Sequence, residues 1–294
     1  MKEIVVISGK GGTGKTSITA SFAILAGSKA VIADCDVDAA DMHLLMQPVI
    51  KKSVDFYSGV VALIDENKCT NCGICADVCR FNAIPIIENQ YTIKDLDCEG
   101  CGYCAKVCPE KAITMYEQNV GDWFISQSKI ENTLVHAKLG IGAENSGKLV
   151  AKVKNEAKQI AEKENKDYII VDGSPGIGCP VVSSLSGANY AVLVTEPSMS
   201  GLHDLKRVYE LVKKFNIRAG CIINKSDINL DMTNKVLQFL KDESIMHIAS
   251  LPYDESFTKA MTVGETIVEY DHSELKDLLV ASWEKVKDEL KNTN

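Results

Sequence analysis

Residues 9–16 read GKGGTGKT and sit between an apolar stretch, Glu3 to Ser8 (EIVVIS), and a helix-compatible stretch, Ser17 to Ala26. The spacing G-x-x-x-x-G-K-T, with Gly9, Gly14, Lys15 and Thr16 at its fixed points, calls for a buried strand, a glycine loop and a helix in immediate succession. Glycines let successive backbone N–H groups curl around phosphate oxygens, and the helix N-terminus adds favourable partial charge. Gly9, Gly11, Gly12, Thr13, Gly14, Lys15, Thr16 and Ser17 are therefore the expected phosphate-binding residues. Lys15 is expected to reach the β- and γ-phosphates, and the Thr16 hydroxyl to bind Mg²⁺.

Further apolar segments repeat the strand signal: Val31–Asp34 (VIAD), Tyr168–Asp172 (YIIVD), Asn189–Glu196 (NYAVLVTE) and Gly220–Asn224 (GCIIN). Helical patterns over Lys148–Glu164, Leu202–Phe215 and Leu230–Lys241 alternate with them. Right-handed crossovers then give an α/β fold, a mostly parallel sheet with helices on both faces. A carboxylate at the end of a buried parallel strand, such as Asp172, is placed to hold Mg²⁺ through water.

Eight of the eleven cysteines form two runs of one spacing, C-x2-C-x2-C-x3-C. The first is Cys69, Cys72, Cys75, Cys79; the second is Cys98, Cys101, Cys104, Cys108, followed by Pro109. This is the ligand pattern of bacterial two-cluster ferredoxins, in which three cysteines of one run share a cluster with the fourth of the other. Cys69, Cys72, Cys75 and Cys108 are thus assigned to one [4Fe–4S] cluster, and Cys98, Cys101, Cys104 and Cys79 to a second. The surrounding segments, CTNCGICADVCRFNAI and CEGCGYCAKVCPEKAI, repeat with an offset of 29 positions, which implies a pseudo-twofold pair of loop–helix units. Arg80 stands where the second run has Pro109. Zinc usually takes two pairs of ligands rather than two such quartets, and structural disulfides are rare in cytosolic chains. Met1-Lys2-Glu3 runs straight into a strand with no signal-peptide pattern, so a cytoplasmic protein is expected.

Lys10, directly after the first glycine, makes the loop resemble the deviant phosphate loop of the MinD/ParA/Mrp superfamily of ATPases. That resemblance implies that Lys10 reaches into the partner's nucleotide site across an ATP-bound homodimer. It also implies that Asp34 and Asp36, in DCDVD, organise Mg²⁺ and the attacking water, with Asp36 the catalytic aspartate. Asp172 matches the family's Mg²⁺-holding acid, and Gly173-Ser174-Pro175-Gly176 resembles its γ-phosphate switch. Asn224 matches the base-contacting asparagine, and Pro252-Tyr253 the purine-stacking segment. The resemblance covers residues 1–60 and 115–294. A small α+β ferredoxin-like domain at 61–114 interrupts it, and together with VTEPSMSGLHDLKR and ENSGKLV this looks like MinD-superfamily ATPases carrying an inserted ferredoxin domain. The cofactors expected are ATP, Mg²⁺ and two [4Fe–4S] clusters.

Net charge of −8 argues against wholesale binding to nucleic acid or anionic lipid. No apolar run approaches the roughly 18 residues of a membrane span. The final helix, Ser273–Leu290, has an apolar stripe of Leu275, Leu278, Leu279, Val286 and Leu290 and a polar face of mixed sign, which reads as core docking rather than a membrane anchor. The five histidines, His43, His136, His203, His247 and His272, show no metal spacing. Cys179 lies seven residues after Asp172, at the offset where the related nitrogenase iron protein has a cluster ligand, but no second cysteine stands in Gly140–Gly147. It reads as a packed or reactive thiol, and Cys35 and Cys221 as buried small residues. The leading expectation is an Mg-ATP hydrolase whose ATP-dependent dimerisation is coupled to electron transfer through the clusters, towards an unidentified redox partner. The alternatives are an Mrp-like iron–sulfur carrier and a MinD/ParA-like positioning ATPase with structural or sensory clusters.

Overall fold

The computed structural model describes the whole chain apart from residues 39, 141, 144, 145, 271–273 and 292–294. His272 and Ser273, the expected first residue of the last helix, thus lie outside the described residues.

The chain begins with β1 (Lys2–Ile7), α1 (Lys15–Ala26), β2 (Ala30–Asp34), α2 (Met42–Met46) and the long strand β3 (Val49–Ile64). Next come α3 (Ile74–Asp77), β4 (Ile86–Ile87), β5 (Gln90–Tyr91), α4 (Tyr103–Val107), β6 (Ile113–Gln127) and β7 (Thr133–Leu139). The remainder alternates regularly: α5 (Ser146–Lys163), β8 (Tyr168–Asp172), α6 (Cys179–Leu185), β9 (Tyr190–Thr195), α7 (Met199–Lys214), β10 (Arg218–Ile223), α8 (Leu230–Asp242) and β11 (Met246–Ser250). Three helices close it, α9 (Ser256–Thr262), α10 (Ile267–Tyr270) and α11 (Glu274–Lys291).

Nine strands form one sheet in the order β11-β10-β9-β1-β8-β2-β7-β6-β3, and every neighbouring pair from β11 to β7 is parallel. β1 lies between β8 and β9, and Ile4 to Ile7 are wholly buried. A strand covered on both faces must read as a continuous apolar run, which is why β1, β8, β9 and β10 were visible in the sequence. The register decides where the chemistry falls. Val6 pairs with Asp172, and Asp34 pairs with Asp172. Both acids therefore end their strands beside the loop leaving β1, at the carboxyl edge where open α/β sheets bind ligands.

By contrast β3, β6 and β7 went unread. β3 carries mostly exposed residues, including Lys51 and Lys52, over its first five positions. An edge strand wet on both faces has neither an apolar run nor a clean alternation.

Two compact units divide the chain. The first comprises residues 1–54, 123–138 and 146–294, and the second 55–122 and 139–145. The second unit extends beyond 61–114 in both directions, because the flanking halves of β3 and β6 belong to it. In the first unit, α11 buries Leu275, Leu279, Trp283, Val286 and Leu290. The Trp283 ring lies 5.4 Å from both Phe22 of α1 and Tyr168 of β8, measured between centroids. The apolar stripe of α11 is thus spent on the core. Among the described residues no helix is long and apolar enough to cross a membrane.

The second unit shows its repeat in the backbone. Positive φ recurs at Asn71 and Gly100, at Gly73 and Gly102, and at Asn82 and Lys111, each pair 29 positions apart. α3 and α4 begin at the same offset, each right after its left-handed glycine. A small core of Ala62, Cys75, Ile84 and Ile113 holds the two halves, with Cys79, Cys98, Cys104 and Cys108 packed around it.

Among the described residues, His136 on β7 is the histidine the fold takes furthest inside. Its ring stacks on Phe124 with centroids 5.0 Å apart, and Nε2 lies 2.8 Å from Ser126 Oγ. Burial, helped by His43, pulls its pKa down to about 4. Between that value and the unfolded value near 6.5 the unfolded chain binds more protons, so stability falls as the pH drops through this window. Acidifying from pH 7 to pH 5 is expected to cost about 2 kcal/mol through this residue. Urea midpoints at both pH values should show His136→Phe losing that share of the acid sensitivity.

Candidate functional site

The loop between β1 and α1 takes its shape from Gly12 and Gly14, whose φ angles are +77° and +88°. Such left-handed backbone is cheap only for glycine. Gly14 has a second reason: a Cβ there would run into the Asn224 carboxamide. That carboxamide donates from Nδ2 to the Thr13 carbonyl at 2.8 Å, tying the end of β10 to the loop. A cavity of about 390 Å³ opens beside it. It is lined by Gly11 to Ser17, with Asp36, Pro175, Asn224, Tyr253 and Phe257 among the other lining residues. The Thr13 hydroxyl is buried and finds no hydrogen-bond partner among the described residues.

Lys15 is the electrostatic centre of the site. Its Nζ lies 2.9 Å from Asp172 Oδ1 and 3.4 Å from Asp36 Oδ2, with its side chain only 6% exposed. Asp172 also accepts from Thr16 Oγ1 at 2.7 Å and from Thr19 Oγ1 at 2.8 Å. Asp34 is fully enclosed beside them and accepts the Asp36 N–H at 3.1 Å. Three buried carboxylates thus meet one ammonium. Burial drags Lys15 down, but Asp172 and Asp36 outweigh it and leave the ammonium above the ordinary lysine value. Burial pushes Asp34 well above the usual carboxylate range, and the Asp172 charge adds to this. Burial raises Asp36 as well, against the pull of Lys15. The cluster is short of positive charge, which is the chemistry a divalent cation answers.

The backbone around these acids is cross-braced. Cys35 N donates to Asp172 O at 2.8 Å, and Ser174 Oγ donates to Cys35 O at 2.6 Å. The segment after β8 is therefore fastened to the segment carrying Asp36.

Lys10 does not line this cavity. Its Nζ instead lies 2.6 Å from Glu196 Oε1 and donates to Ser200 Oγ at 2.9 Å and Ser198 Oγ at 3.3 Å. Gly9 and Pro252 are likewise off the cavity wall, whereas Tyr253 is on it. The Tyr253 N–H is held by Asp227 Oδ1 at 2.6 Å. Residues that the sequence reading missed are Thr19, Glu196, Lys225, Asp254, Phe257, Thr258 and Met261. Lys225 directly follows Asn224 and was open to notice. Phe257, Thr258 and Met261 come from the short helix α9, which has no distinctive periodic signal.

In the second unit two small cavities are walled by cysteine. Cys69, Cys72, Cys75 and Cys108 line one; Cys79, Cys98, Cys101 and Cys104 line the other. Cys72 and Cys101 are exposed, and Cys108 Sγ accepts the Ala112 N–H at 3.3 Å. All eleven cysteines are free thiols. Among the described residues no group of three or more His, Cys, Asp or Glu side chains is arranged to hold a metal ion. Cys35 and Cys221 are wholly buried, and burial pushes both thiols far up. Cys179 is exposed at the start of α6, where it packs so closely on Gly147 that a Cβ there would lie 3.1 Å from its own.

Comparison with known proteins places the chain in a family. The family model described as the CobQ/CobB/MinD/ParA nucleotide binding domain matches residues 4–267. An uncharacterised protein of Methanocaldococcus jannaschii is 33% identical over 289 residues, which are 97% of this chain and 96% of that one. The septum site-determining protein MinD of Synechocystis is 26% identical over 279 residues, covering 90% and 81% of the two chains. Among solved structures, MinD of Pyrococcus horikoshii complexed with Mg-ADP superposes with a TM-score of 0.59 at 19% identity, covering 99% and 97%. That likeness is one of fold.

The charge deficit gives a signed expectation. Because the folded state holds Asp34 above its unfolded pKa, its ionisation costs stability, and the cost grows as the pH rises above the unfolded value. Without Mg²⁺, Asp34→Asn should therefore melt higher than wild type at pH 8–9. The gap should close as the pH falls towards 5, as read by thermal unfolding.

Proposed function

The chain belongs to the CobQ/CobB/MinD/ParA nucleotide-binding family and is a P-loop ATPase of the MinD/ParA kind; from that premise we propose that it works as an ATP-dependent homodimer. We further propose that its second unit holds two [4Fe–4S] clusters as a structural or sensory part of that switch. The observation that carries the ATPase reading is Lys15, held by Asp172 and Asp36 in the place where phosphate oxygens belong.

Phosphoryl transfer asks a protein mainly for positioning and charge stabilisation. In this reading Lys15 exchanges its carboxylate partners for β- and γ-phosphate oxygens. Thr16 and Asp172, already hydrogen-bonded to each other, would hold Mg²⁺ together with Asp34. A divalent ion bound there neutralises phosphate charge. Asp36 orients the attacking water. The orphaned Thr13 hydroxyl supports a loop shaped for a ligand. Asn224 and Tyr253 border the base, with Phe257 and Met261 supplying apolar contact. Lys10, which faces away from its own cavity, is assigned to the partner's site.

Two quartets, each walling one cavity, support the cluster reading. A four-iron cube takes one thiolate per iron, so its sulfurs stand wider apart than those around a single ion. Burial raises the Cys75 and Cys104 thiols, and thiolates there need a compensating cationic centre. Such clusters, when bound, supply one-electron chemistry. Residues 61–114, within the second unit, are the proposed ferredoxin-like insert. Neither the family match nor the MinD relatives speak for electron transfer, so a structural or sensory role comes first. One observation favours the redox reading: Cys72 and Cys101, one from each quartet, are exposed, which leaves each cluster within reach of a redox partner.

Two measurements test these proposals. Anaerobic reconstitution should load about eight irons per chain, and Cys101→Ala about four, with nucleotide binding kept. Retention of eight irons in the variant would overturn the ligand assignment. Lys10→Ala should lower turnover at least a hundredfold while sparing most ATP binding, since a charge supplied in trans acts on the transition state (on the order of 3 kcal/mol). Unchanged turnover removes the dimer mechanism.

A further inference from the structure

Lys10 is held more firmly than a free loop lysine needs to be. Glu196 Oε1, Ser200 Oγ and Ser198 Oγ give its ammonium three acceptors, one for each of its protons. The other carboxylate oxygen, Glu196 Oε2, lies 3.2 Å from Lys225 Nζ, which also donates to the Gly12 carbonyl at 3.2 Å. One carboxylate thus joins Lys10, the residue beside Asn224 and the phosphate loop itself. The hydrogen bonds from Lys10 and Lys225 outweigh burial and keep the Glu196 carboxyl below its ordinary range. Ser198 is not idle either: it caps α7 by accepting the Gly201 N–H at 2.9 Å. Gly9 presses the start of the loop onto α7, since a Cβ there would lie 2.5 Å from the Asp204 backbone. The loop start, the first turn of α7 and the end of β9 therefore converge on the Lys10 ammonium.

We propose that Glu196 is a latch that keeps Lys10 in its own subunit, so that two such latches must open before an ATP-bound dimer can close. The proposal rests on the dimer reading above and adds the residue that sets dimer affinity. A lysine with all three protons engaged in cis has none to offer a second copy. Closing the dimer therefore trades two sets of cis contacts for trans ones. The Lys10 and Glu196 side chains are 29% and 21% exposed, so each latch is a partly exposed ion pair, equivalent to a factor of about three. Two latches per dimer multiply to roughly tenfold. The tie through Lys225 to Gly12 fastens the latch to the loop that nucleotide occupies.

Analytical ultracentrifugation of the full chain with Mg²⁺ and a non-hydrolysable ATP analogue tests this. Glu196→Gln keeps the shape and removes the charge, and it should tighten the dimer about tenfold. Ser200→Ala, which takes one acceptor from the ammonium and leaves the helix cap alone, should shift it in the same direction by a smaller factor. In a Lys10→Ala background, Glu196→Gln should have no effect on the dimer. An unchanged or weaker Glu196→Gln dimer, with Lys10→Ala still abolishing turnover, overturns the latch and leaves the dimer reading standing. A tightening that persists without Lys10 overturns it too, because the carboxylate would then act on some other group. Absence of a dimer in wild type and Glu196→Gln alike overturns both.

Discussion

The buried ammonium of Lys15 sets the terms for the first unit. It stands within 3.4 Å of two carboxylates and close to a third, in surroundings where charge is costly unless matched. One positive charge faces three acids, and burial first, with the neighbouring Asp172 charge adding to it, holds Asp34 and Asp36 above their ordinary pKa values. The parallel sheet makes this arrangement compulsory. Asp34 and Asp172 are register partners at the ends of β2 and β8, and Lys15 opens the helix that follows β1. Those three acids and the Thr16 hydroxyl are the groups proposed to receive Mg²⁺, and the Lys15 ammonium the group proposed to receive phosphate.

Much of this was legible in the sequence because its determinants are local. The glycine loop, the apolar strands that end in Asp34 and Asp172, and the helices α5, α7, α8 and α11 each carry their signal within about twenty residues. Contacts made across the fold were not legible. No pattern announced that Glu196 would face Lys10 at a sequence distance of 186, or that Asn224 would reach the Thr13 carbonyl. The long edge strand β3 escaped because an exposed strand needs no apolar run. Pro252 was expected at the base, yet only its neighbour Tyr253 lines the cavity, braced by Asp227.

The second unit obeys a different logic. Its core is slight: four of its run cysteines pack around a buried cluster of Ala62, Cys75, Ile84 and Ile113, so a fifth cysteine is part of the core itself. Small units of this kind usually need staples or metals to be stable. Their backbone repeats three pairs of left-handed positions at one offset, so the same loop has been built twice. In the proposed reading the clusters supply the missing cohesion, and a change in their state is a change in the stability of the unit that holds them. That makes a sensory role physically economical, and it requires no electron to travel further than the cluster itself.

Calorimetry of ATP-analogue binding in the presence of Mg²⁺, at pH 8 and in two buffers of different ionisation enthalpy, tests the charge-deficit claim most directly. At that pH the phosphates carry no proton of their own to lose. If Asp34 holds a proton that a divalent cation displaces, binding releases it, the heats differ between buffers, and Asp34→Asn removes most of the difference. Equal heats in the two buffers would contradict the account, because Asp34 would then hold no proton for a cation to displace.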